Sequence, residues 1–126
     1  MYLDPKSHSF YINSIPSTGT VSLGILCSYN DLGQTELFKS IPLTISASGN
    51  TTVIPVNTNI TKRVLYSFSL FNYANASNLV SVNIADNTTG LSTVIYKLNL
   101  PSNYSLQYTT NNGWFITPFI TDGGSP

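Results

Sequence analysis

The side chains that could carry out acid, base or nucleophilic chemistry are few and widely spaced. The chain contains one histidine, His8, one cysteine, Cys27, and five acidic residues. Neither a carboxylate nor a nucleophile motif flanks His8, so we interpret it as a solvated surface histidine rather than a general base. Cys27 lies in the stretch VSLGILCSY, in phase with Leu23 and Ile25. This phase indicates a buried small hydrophobe rather than a reactive thiol.

Motifs for metals, nucleotides and cofactors are missing from the sequence. It has no CxxC, HExxH or EF-hand spacing, and its eight glycines form neither a GxGxxG nor a Walker pattern. Two distant carboxylates could still meet in the fold, as glycoside hydrolysis requires, but five acidic residues offer few such pairs. We therefore predict a protein that is not an enzyme and that uses no metal and no cofactor.

Aromatic side chains are the remaining candidates for recognition. Eight Tyr, six Phe and the single Trp are interleaved with Ser and Asn, a mixture typical of adaptable binding surfaces. A stripe of such rings could stack on sugars or on single-stranded nucleic acid, although packing in the core or in an interface is the reading we favour. Trp114 follows a turn and could plug one end of the core or a seam between subunits. The candidate interaction residues are Tyr2, Tyr11, Tyr73, Tyr104, Trp114 and Phe119.

Composition describes a neutral, strand-rich domain. Only 8% of the 126 residues are charged and the formal net charge is zero, whereas Ser, Thr and Asn together account for 46 residues. Such a composition suits strands and turns rather than surface helices. Five scattered cations cannot form a basic patch, so we predict no binding to nucleic acid. A surface with so little charge lacks self-repulsion, and we interpret it as one that neighbouring subunits cover.

No targeting or membrane segment is expected. No apolar run follows Met1, which argues against a signal peptide, and nowhere do 18 apolar residues stand together. We therefore predict synthesis in the cytosol, a soluble product and no membrane partner. The 126 residues match a single domain, with 1–7 and 122–126 as extended tails that carry few anchoring residues.

Alternation of apolar and polar residues with a period of two recurs along the chain and predicts strands. Turn-forming residues separate these runs every 8 to 14 residues, and no helical pattern intervenes. This spacing predicts an all-β fold, an antiparallel β-sandwich or jelly-roll-like domain of about eight or nine strands with negligible helix. The predicted strands lie near 9–15, 20–29, 34–40, 51–57, 63–72, 79–85, 92–100, 104–109 and 113–119.

The pattern also makes detailed predictions about facing and turns. Tyr66 and Val94 belong to apolar rows, whereas Ser81 and Asn83 belong to solvent-facing ones. The segment 98–117 is predicted to form two tight hairpins, with turns at 101–103 and 111–113. Prolines at 16, 42, 101 and 118 are placed at strand ends, and Pro55 demotes its strand to an edge or a bulge.

The segment 64–117 resembles a family of small β-sandwiches found in virion structural proteins of tailed bacteriophages. In that family a strand ending in (I/L)-x-N leads on to an (I/L)-P-x-(G/N)-x-(S/T)-L hairpin. Asn72 and the run LPSNYSL at 100–106 carry the match, which covers 54 of the 126 residues. Asn103 stands where glycine is more usual, and asparagine tolerates the left-handed conformation that such a turn requires.

The resemblance implies assembly rather than catalysis. The leading expectation is a virion-located capsid decoration or cement protein that bridges the major capsid protein or other virion proteins, as a symmetric homo-oligomer. A neck, tail or fibre-attachment component is an alternative within the virion. A carbohydrate-binding β-sandwich module that uses Tyr and Trp114 is an alternative of another class.

Overall fold

The chain folds into an all-β structure without helices in the part that the structure describes. The computed structural model describes residues 1–32, 37–60 and 62–119. Ten strands follow one another in these ranges: β1 (Tyr2–Leu3), β2 (His8–Pro16), β3 (Leu23–Leu32), β4 (Leu37–Ile45), β5 (Gly49–Ile54), β6 (Lys62–Asn72), β7 (Asn78–Asp86), β8 (Leu91–Leu100), β9 (Tyr104–Thr109) and β10 (Gly113–Pro118). The predicted all-β class is therefore confirmed.

The strands form two antiparallel sheets that face each other as a β-sandwich. Sheet A has the order β10-β9-β6-β3-β4, with β1 added beside β6, and sheet B has the order β5-β2-β7-β8. The β3–β4, β7–β8 and β9–β10 connections stay within one sheet, whereas the other six cross between the sheets. Strands that are neighbours in sequence are thus often in opposite layers, and each crossing needs a turn at an end of the sandwich.

The core lies between the two sheets and is filled by apolar side chains from both. Phe10 of β2 and Phe68 of β6 are fully buried and meet edge to face across the layers, with ring centroids 5.5 Å apart. Such a pair adds about 0.5–1.5 kcal/mol to the free energy of burial. Leu70, Val82 and Leu106 are fully buried around this pair. The alternation seen in the sequence therefore places one face of each sheet in the core.

All nine predicted strands have a counterpart, and the tenth strand corrects the prediction for the N-terminal segment. Residues 1–7 were expected to be a tail with few anchors, yet Leu3 is buried and β1 pairs with Val64 and Arg63 of β6. The Met1 amino group also donates hydrogen bonds to the Leu65 carbonyl and the Tyr108 hydroxyl, at 3.1 Å each. The predicted tail at 122–126 lies outside the described residues.

Two proline predictions have different outcomes. Pro55 follows the last residue of β5, and β5 is an edge strand of sheet B, as predicted. The prediction for Pro42 is wrong, because this residue lies inside β4 opposite Leu26. A proline is tolerated there because β4 is the edge of sheet A, where an N–H directed away from the sheet has no ladder bond to lose.

Two of the three register shifts in the described strands change which predicted apolar positions face the core. The register between β3 and β6 passes from Ser28–Ser67 to Tyr29–Leu65, so that Tyr66 is the extra residue and becomes exposed. A similar shift between β7 and β8 leaves Ile95 as the extra residue, and Val94 is exposed. The predicted apolar-row positions of Tyr66 and Val94 are therefore wrong, because one inserted residue inverts the facing of a strand.

Polar residues on the outer face of sheet B are more buried than the alternation implied. Ser81 and Asn83 were predicted to face solvent, but both are buried. Both belong to β7, a central strand covered on either side by β2 and β8. The Asn83 amide donates to the Ser81 hydroxyl and carbonyl at 3.0 and 3.1 Å, which satisfies these groups away from water.

The segment 98–117 contains one hairpin rather than two. The turn at 111–113 joins the antiparallel strands β9 and β10, and Gly113 adopts a φ of 70°. The turn at 101–103 instead leads from β8 in sheet B to β9 in sheet A, so the predicted hairpin at this position is wrong. Asn103 has a φ of 63°, in the left-handed region that asparagine tolerates. This turn is therefore a corner at the end of the sandwich.

A thiol reagent is expected to label Cys27 only after unfolding. Cys27 is fully buried between Ile25 and Tyr29 on β3, as the sequence predicted, and burial raises the pKa of its thiol from 9.0 to about 12. Because the folded state holds this proton more tightly, its contribution to stability is complete below about pH 9 and is lost as the pH rises towards 12. Labelling with a chromogenic disulfide at pH 8, with and without denaturant, measures the accessibility. Stoichiometric labelling of the native protein would contradict the buried position.

Candidate interaction surface

The outer face of sheet A is assembled from residues that alternate with the core positions. Strand register aligns Pro42, Leu26, Ser69, Gln107 and Phe115 in one row across β4, β3, β6, β9 and β10. In the middle of this row the Ser69 hydroxyl bonds the Gln107 side chain at 2.6 Å. The ends of the row are apolar, so the face combines a neutral polar centre with apolar flanks.

Three aromatic rings meet at the end of this face where β6 finishes. Phe71 stacks on Tyr73, with ring centroids 6.0 Å apart and an interplanar angle of 22°. Phe119 meets both rings edge to face, at 5.4 Å from Phe71 and 5.3 Å from Tyr73. We call these three rings, together with Leu26 and Pro42, the aromatic patch.

Gly24 lets the Tyr73 ring lie directly over β3. A Cβ atom at Gly24 would stand 2.8 Å from Cε2 of Tyr73, closer than real Cβ contacts come. The Tyr73 backbone N–H donates to the Ser22 carbonyl at 2.9 Å, which fixes the position of the ring just beyond the end of β6. The patch is thus shaped by backbone contacts as well as by its own side chains.

The aromatic patch borders a shallow, uncharged depression. Its volume is about 270 Å³, and Gly24, Leu26, Pro42, Phe71 and Tyr73 contribute to its lining. Half of the Tyr73 surface and 47% of the Leu26 surface remain exposed. None of the described residues that line the depression is charged. A binding partner would therefore remove apolar surface from water without having to desolvate a charge.

Of the six predicted interaction residues, the structure brings two together in the patch. Tyr73 and Phe119 are these two, although 46 positions separate them in sequence. Phe71, Leu26 and Pro42 were not predicted as interaction residues. One signal could have identified Leu26 and Phe71. Their strands carry apolar residues on both faces, so the apolar residues that do not face the core must lie on the outer face of the sheet.

Trp114 and Tyr104 pack against the core instead of forming an exposed binding stripe. The Trp114 ring stacks on Tyr96 of sheet B at 5.6 Å and lies 4.9 Å from Tyr108 and 6.0 Å from Phe68 of sheet A. The expectation was that its indole would plug one end of the core or a seam between subunits, and the structure shows it packed against the core. Tyr104 is half-buried at the start of β9.

Tyr2 and Tyr11 lie apart from the patch. Tyr2 is strongly exposed, and its ring has the Lys62 ammonium 4.6 Å from its centroid, an arrangement typical of a cation–π contact. Tyr11 is half-buried on β2 and pairs with Asn83, on the opposite phase to Phe10 and Ile12. It therefore belongs to the outer face of sheet B.

His8 does have a carboxylate neighbour, which the sequence did not suggest. Its Nε2 lies 3.7 Å from Oδ2 of Asp86, because β2 and β7 pair these two positions. Nδ1 accepts a hydrogen bond from the Asp4 backbone N–H at 3.3 Å. Thr89 and Thr93 share a cavity of about 400 Å³ with this pair, yet no hydroxyl-to-imidazole hydrogen bond occurs among the described side chains. In the described part of the chain, this pair therefore has no hydrogen-bonded hydroxyl that the imidazole could activate as a base.

A buried ion pair joins two neighbouring strands of sheet A. Arg63 and Asp31 form a two-pronged contact, with Nε to Oδ1 at 2.6 Å and Nη2 to Oδ2 at 3.0 Å. The guanidinium also lies 5.2 Å from the Tyr29 ring centroid. Burial, and then the nearby Asp31 carboxylate, raise the pKa of the Tyr29 phenol. Because this cluster is closed to solvent, we interpret it as structural.

A metal centre and a membrane-spanning helix are both missing from the described ranges 1–32, 37–60 and 62–119. These ranges contain no group of three or more His, Cys, Asp or Glu side chains that could hold a metal ion. They also contain no helix long and apolar enough to cross a membrane. No protein-family model, curated protein or solved structure matches the chain.

Proposed function

We propose that this chain is a non-enzymatic structural subunit that binds an uncharged, apolar protein surface through the aromatic patch. The observation that carries the proposal is the contiguity of Leu26, Pro42, Phe71, Tyr73 and Phe119 around a neutral depression. Rigid aromatic rings on a sheet give contact area at little cost in conformational entropy. A partner that inserts an aliphatic or prolyl side chain into the depression would bury apolar surface on both sides.

The shape of the depression favours a protein partner over a small ligand. A volume of about 270 Å³ lies just below the range of ligand pockets, and the site is wide and shallow rather than enclosed. Among the described lining residues, its polar groups are backbone atoms, the Thr44 hydroxyl and the Tyr73 hydroxyl. Recognition would therefore depend on apolar complementarity, with neutral Ser and Gln side chains at the rim.

The setting that we propose is the virion of a tailed bacteriophage. It rests on the family resemblance of segment 64–117, and the low charge of the whole chain fits a component packed among neighbours. The leading role is a capsid decoration or cement protein that contacts the major capsid protein, as a homo-oligomer; a neck, tail or fibre-attachment component is the alternative. Contacts made only in the assembled shell would stabilise it by mass action, with many weak sites acting together.

A carbohydrate-binding module is a second candidate, favoured by the half-exposed Tyr73 ring. A sugar could stack on this ring as it does on aromatic platforms. Two observations weigh against it. Trp114 is occupied by Tyr96, Tyr108 and Phe68, and few hydrogen-bonding groups surround Tyr73.

We expect the substitutions Leu26→Asp and Tyr73→Asp to weaken binding to assembled shells by at least about thirtyfold each. Each would place an unpaired charge in the neutral patch, and losses of about 2 kcal/mol are typical of central interface residues. Leu91→Asp is the matched control, because Leu91 is an exposed apolar residue of sheet B with 70% of its surface accessible. Sedimentation of shells with each purified variant measures the retained protein.

The outcomes separate the alternatives. If all three variants are retained equally, the aromatic patch is not the binding surface. If the wild-type chain is not retained, the shell is not the binding partner. A count of hundreds of copies per particle indicates the shell, whereas six or twelve indicates the neck. Binding on a glycan array that Tyr73→Asp abolishes would favour the carbohydrate module instead.

A further inference from the structure

Two buried polar side chains face the core near the end of the sandwich where the corner turns lie. Ser14 follows Phe10 and Ile12 in the inward phase of β2, and Asn78 precedes Val80 in the inward phase of β7. Both side chains are 1% exposed. The apolar residues around them offer no hydrogen bonds, so these two positions differ in chemistry from the rest of the inner face of sheet B.

Three polar atoms of this pair have no hydrogen-bond partner within the part of the chain that the structure describes. They are Oγ of Ser14 and both Nδ2 and Oδ1 of Asn78. Other buried polar side chains are satisfied: the Asn72 amide bonds Ala76 and Leu100, and the Ser105 hydroxyl bonds the Thr117 carbonyl and the Gln107 amide. Buried polar groups are nearly always paired, because an unpaired one loses its interactions with water without replacement.

The strand register places Ser14 and Asn78 at the separation that one water molecule bridges. β2 and β7 pair Ser14 with Val80 and Pro16 with Asn78, so Ser14 and Asn78 are diagonal neighbours on the same face. Side chains at diagonal positions stand somewhat less than about 7–8 Å apart at Cβ. The two side chains make no direct hydrogen bond in the described structure, and this separation leaves room for a bridging molecule with two donors and two acceptor sites.

We propose that Ser14 and Asn78 form an internal hydration site that holds one or two ordered water molecules. The water oxygen accepts a hydrogen bond from Nδ2 of Asn78. One of its O–H groups donates to Oγ of Ser14, and the other donates either to Oδ1 of Asn78 or to the oxygen of a second water. Buried waters make about three such bonds on average, and a domain of this size holds several of them. The bound water would supply hydrogen bonds to the Asn78 side chain, which is buried at the start of β7 close to the corner turns.

A crystal structure of the full chain at a resolution that shows ordered water is the direct test. The expected result is density for water within hydrogen-bond distance of both Ser14 Oγ and Asn78 Nδ2. Direct bonds from these atoms to other protein groups, or a dry contact between them and apolar side chains, would overturn the proposal.

The sign of the stability change caused by Ser14→Ala provides an independent test in solution. If water bridges the pair, Ser14→Ala removes a bonded group, and we expect the unfolding equilibrium constant to rise roughly fivefold. If the pair is dry, the same change removes an unsatisfied hydroxyl and the protein becomes more stable, which would overturn the proposal. Ser105→Ala is the control, since its buried hydroxyl has protein partners and its loss must destabilise the fold.

Discussion

The substitution Arg63→Met is expected to lower the free energy of unfolding by about 3–5 kcal/mol, a large share of the stability of a domain of this size. Arg63 is 2% exposed and Asp31 is fully buried. Removal of the guanidinium leaves the Asp31 carboxylate as an uncompensated charge in a medium of low dielectric constant. The loss then exceeds the net contribution that the intact pair makes.

A third hydrogen bond of the guanidinium means that Arg63→Met would also remove a contact outside the ion pair. Nη1 donates to the Pro55 carbonyl at 2.7 Å, just after the end of β5 in sheet B. Arg63 therefore joins two strands of sheet A to a segment of the opposite layer. The planar fork of arginine suits this three-way contact, and a lysine at position 63 could not reproduce its geometry.

Equilibrium unfolding in urea measures the change, with Lys62→Met as the matched control. Lys62 is the exposed neighbour of Arg63 and lies over the Tyr2 ring, so its substitution should cost less than about 1 kcal/mol. The double variant Asp31→Leu with Arg63→Met should be less destabilised than the two single variants added together, because no unpaired charge remains. A loss below 1 kcal/mol for Arg63→Met would contradict the buried, paired position of this residue.

The sequence predicted the strands because alternation and turn chemistry are local. In β2 the buried residues Phe10 and Ile12 recur every second position, and glycines with positive φ, such as Gly113, stand at the predicted turns. Cys27 was placed correctly for the same reason. Each of these properties depends on residues within a few positions of one another, so a single sequence can reveal them.

Sheet membership and strand phase depend on contacts that the sequence does not display. The bulge at Tyr66 inverts the facing of half of β6, and nothing in the run KRVLYSFSLFN distinguishes that residue from its neighbours. The turn at 101–103 has the residues of a hairpin, yet it passes between layers because β9 pairs with β6 rather than with β8. Arg63 and Asp31 are 32 positions apart, and their pairing follows from the β3–β6 register.

The candidate site was only partly predicted, because it too depends on contacts between residues that are distant in sequence. Tyr73 and Phe119 could be selected as aromatic residues beside turns, but only the fold brings them within 5.3 Å of each other. Leu26 belongs to an apolar run in which both phases look suitable for a core. Its exposure results from the position of β3 in an open sheet whose outer face has no covering layer in the described structure.

The substitution Asn72→Ala is expected to lower the free energy of unfolding by about 2–4 kcal/mol, because several buried groups would lose their partners at once. Asn72 is fully buried at the end of β6. Its amide donates to the carbonyls of Ala76 and Leu100 at 3.0 Å each, and its Oδ1 accepts from the Ala74 N–H at 3.0 Å. One side chain therefore ties together the two corners through which β6 leads to β7 and β8 leads to β9.

Asn72→Ala should also alter the aromatic patch. The Asn103 N–H donates to the Asn72 carbonyl, and the Phe119 N–H donates to the Asn103 carbonyl, both at 3.0 Å. Tyr73 directly follows Asn72 in the chain. Loosening of the two corners therefore displaces two of the three rings of the patch, so that shell binding falls even under conditions in which the variant remains folded.

Urea unfolding and shell sedimentation of Asn72→Ala separate these two effects. Asn75→Ala is the control, because Asn75 is exposed in the same corner and its loss should change stability by less than about 0.5 kcal/mol. If Asn72→Ala unfolds as easily as expected yet is retained on shells like the wild type, the patch does not depend on this corner. If its stability matches that of Asn75→Ala, backbone hydrogen bonds alone hold the two corners, and the stabilising role assigned to the Asn72 side chain is wrong.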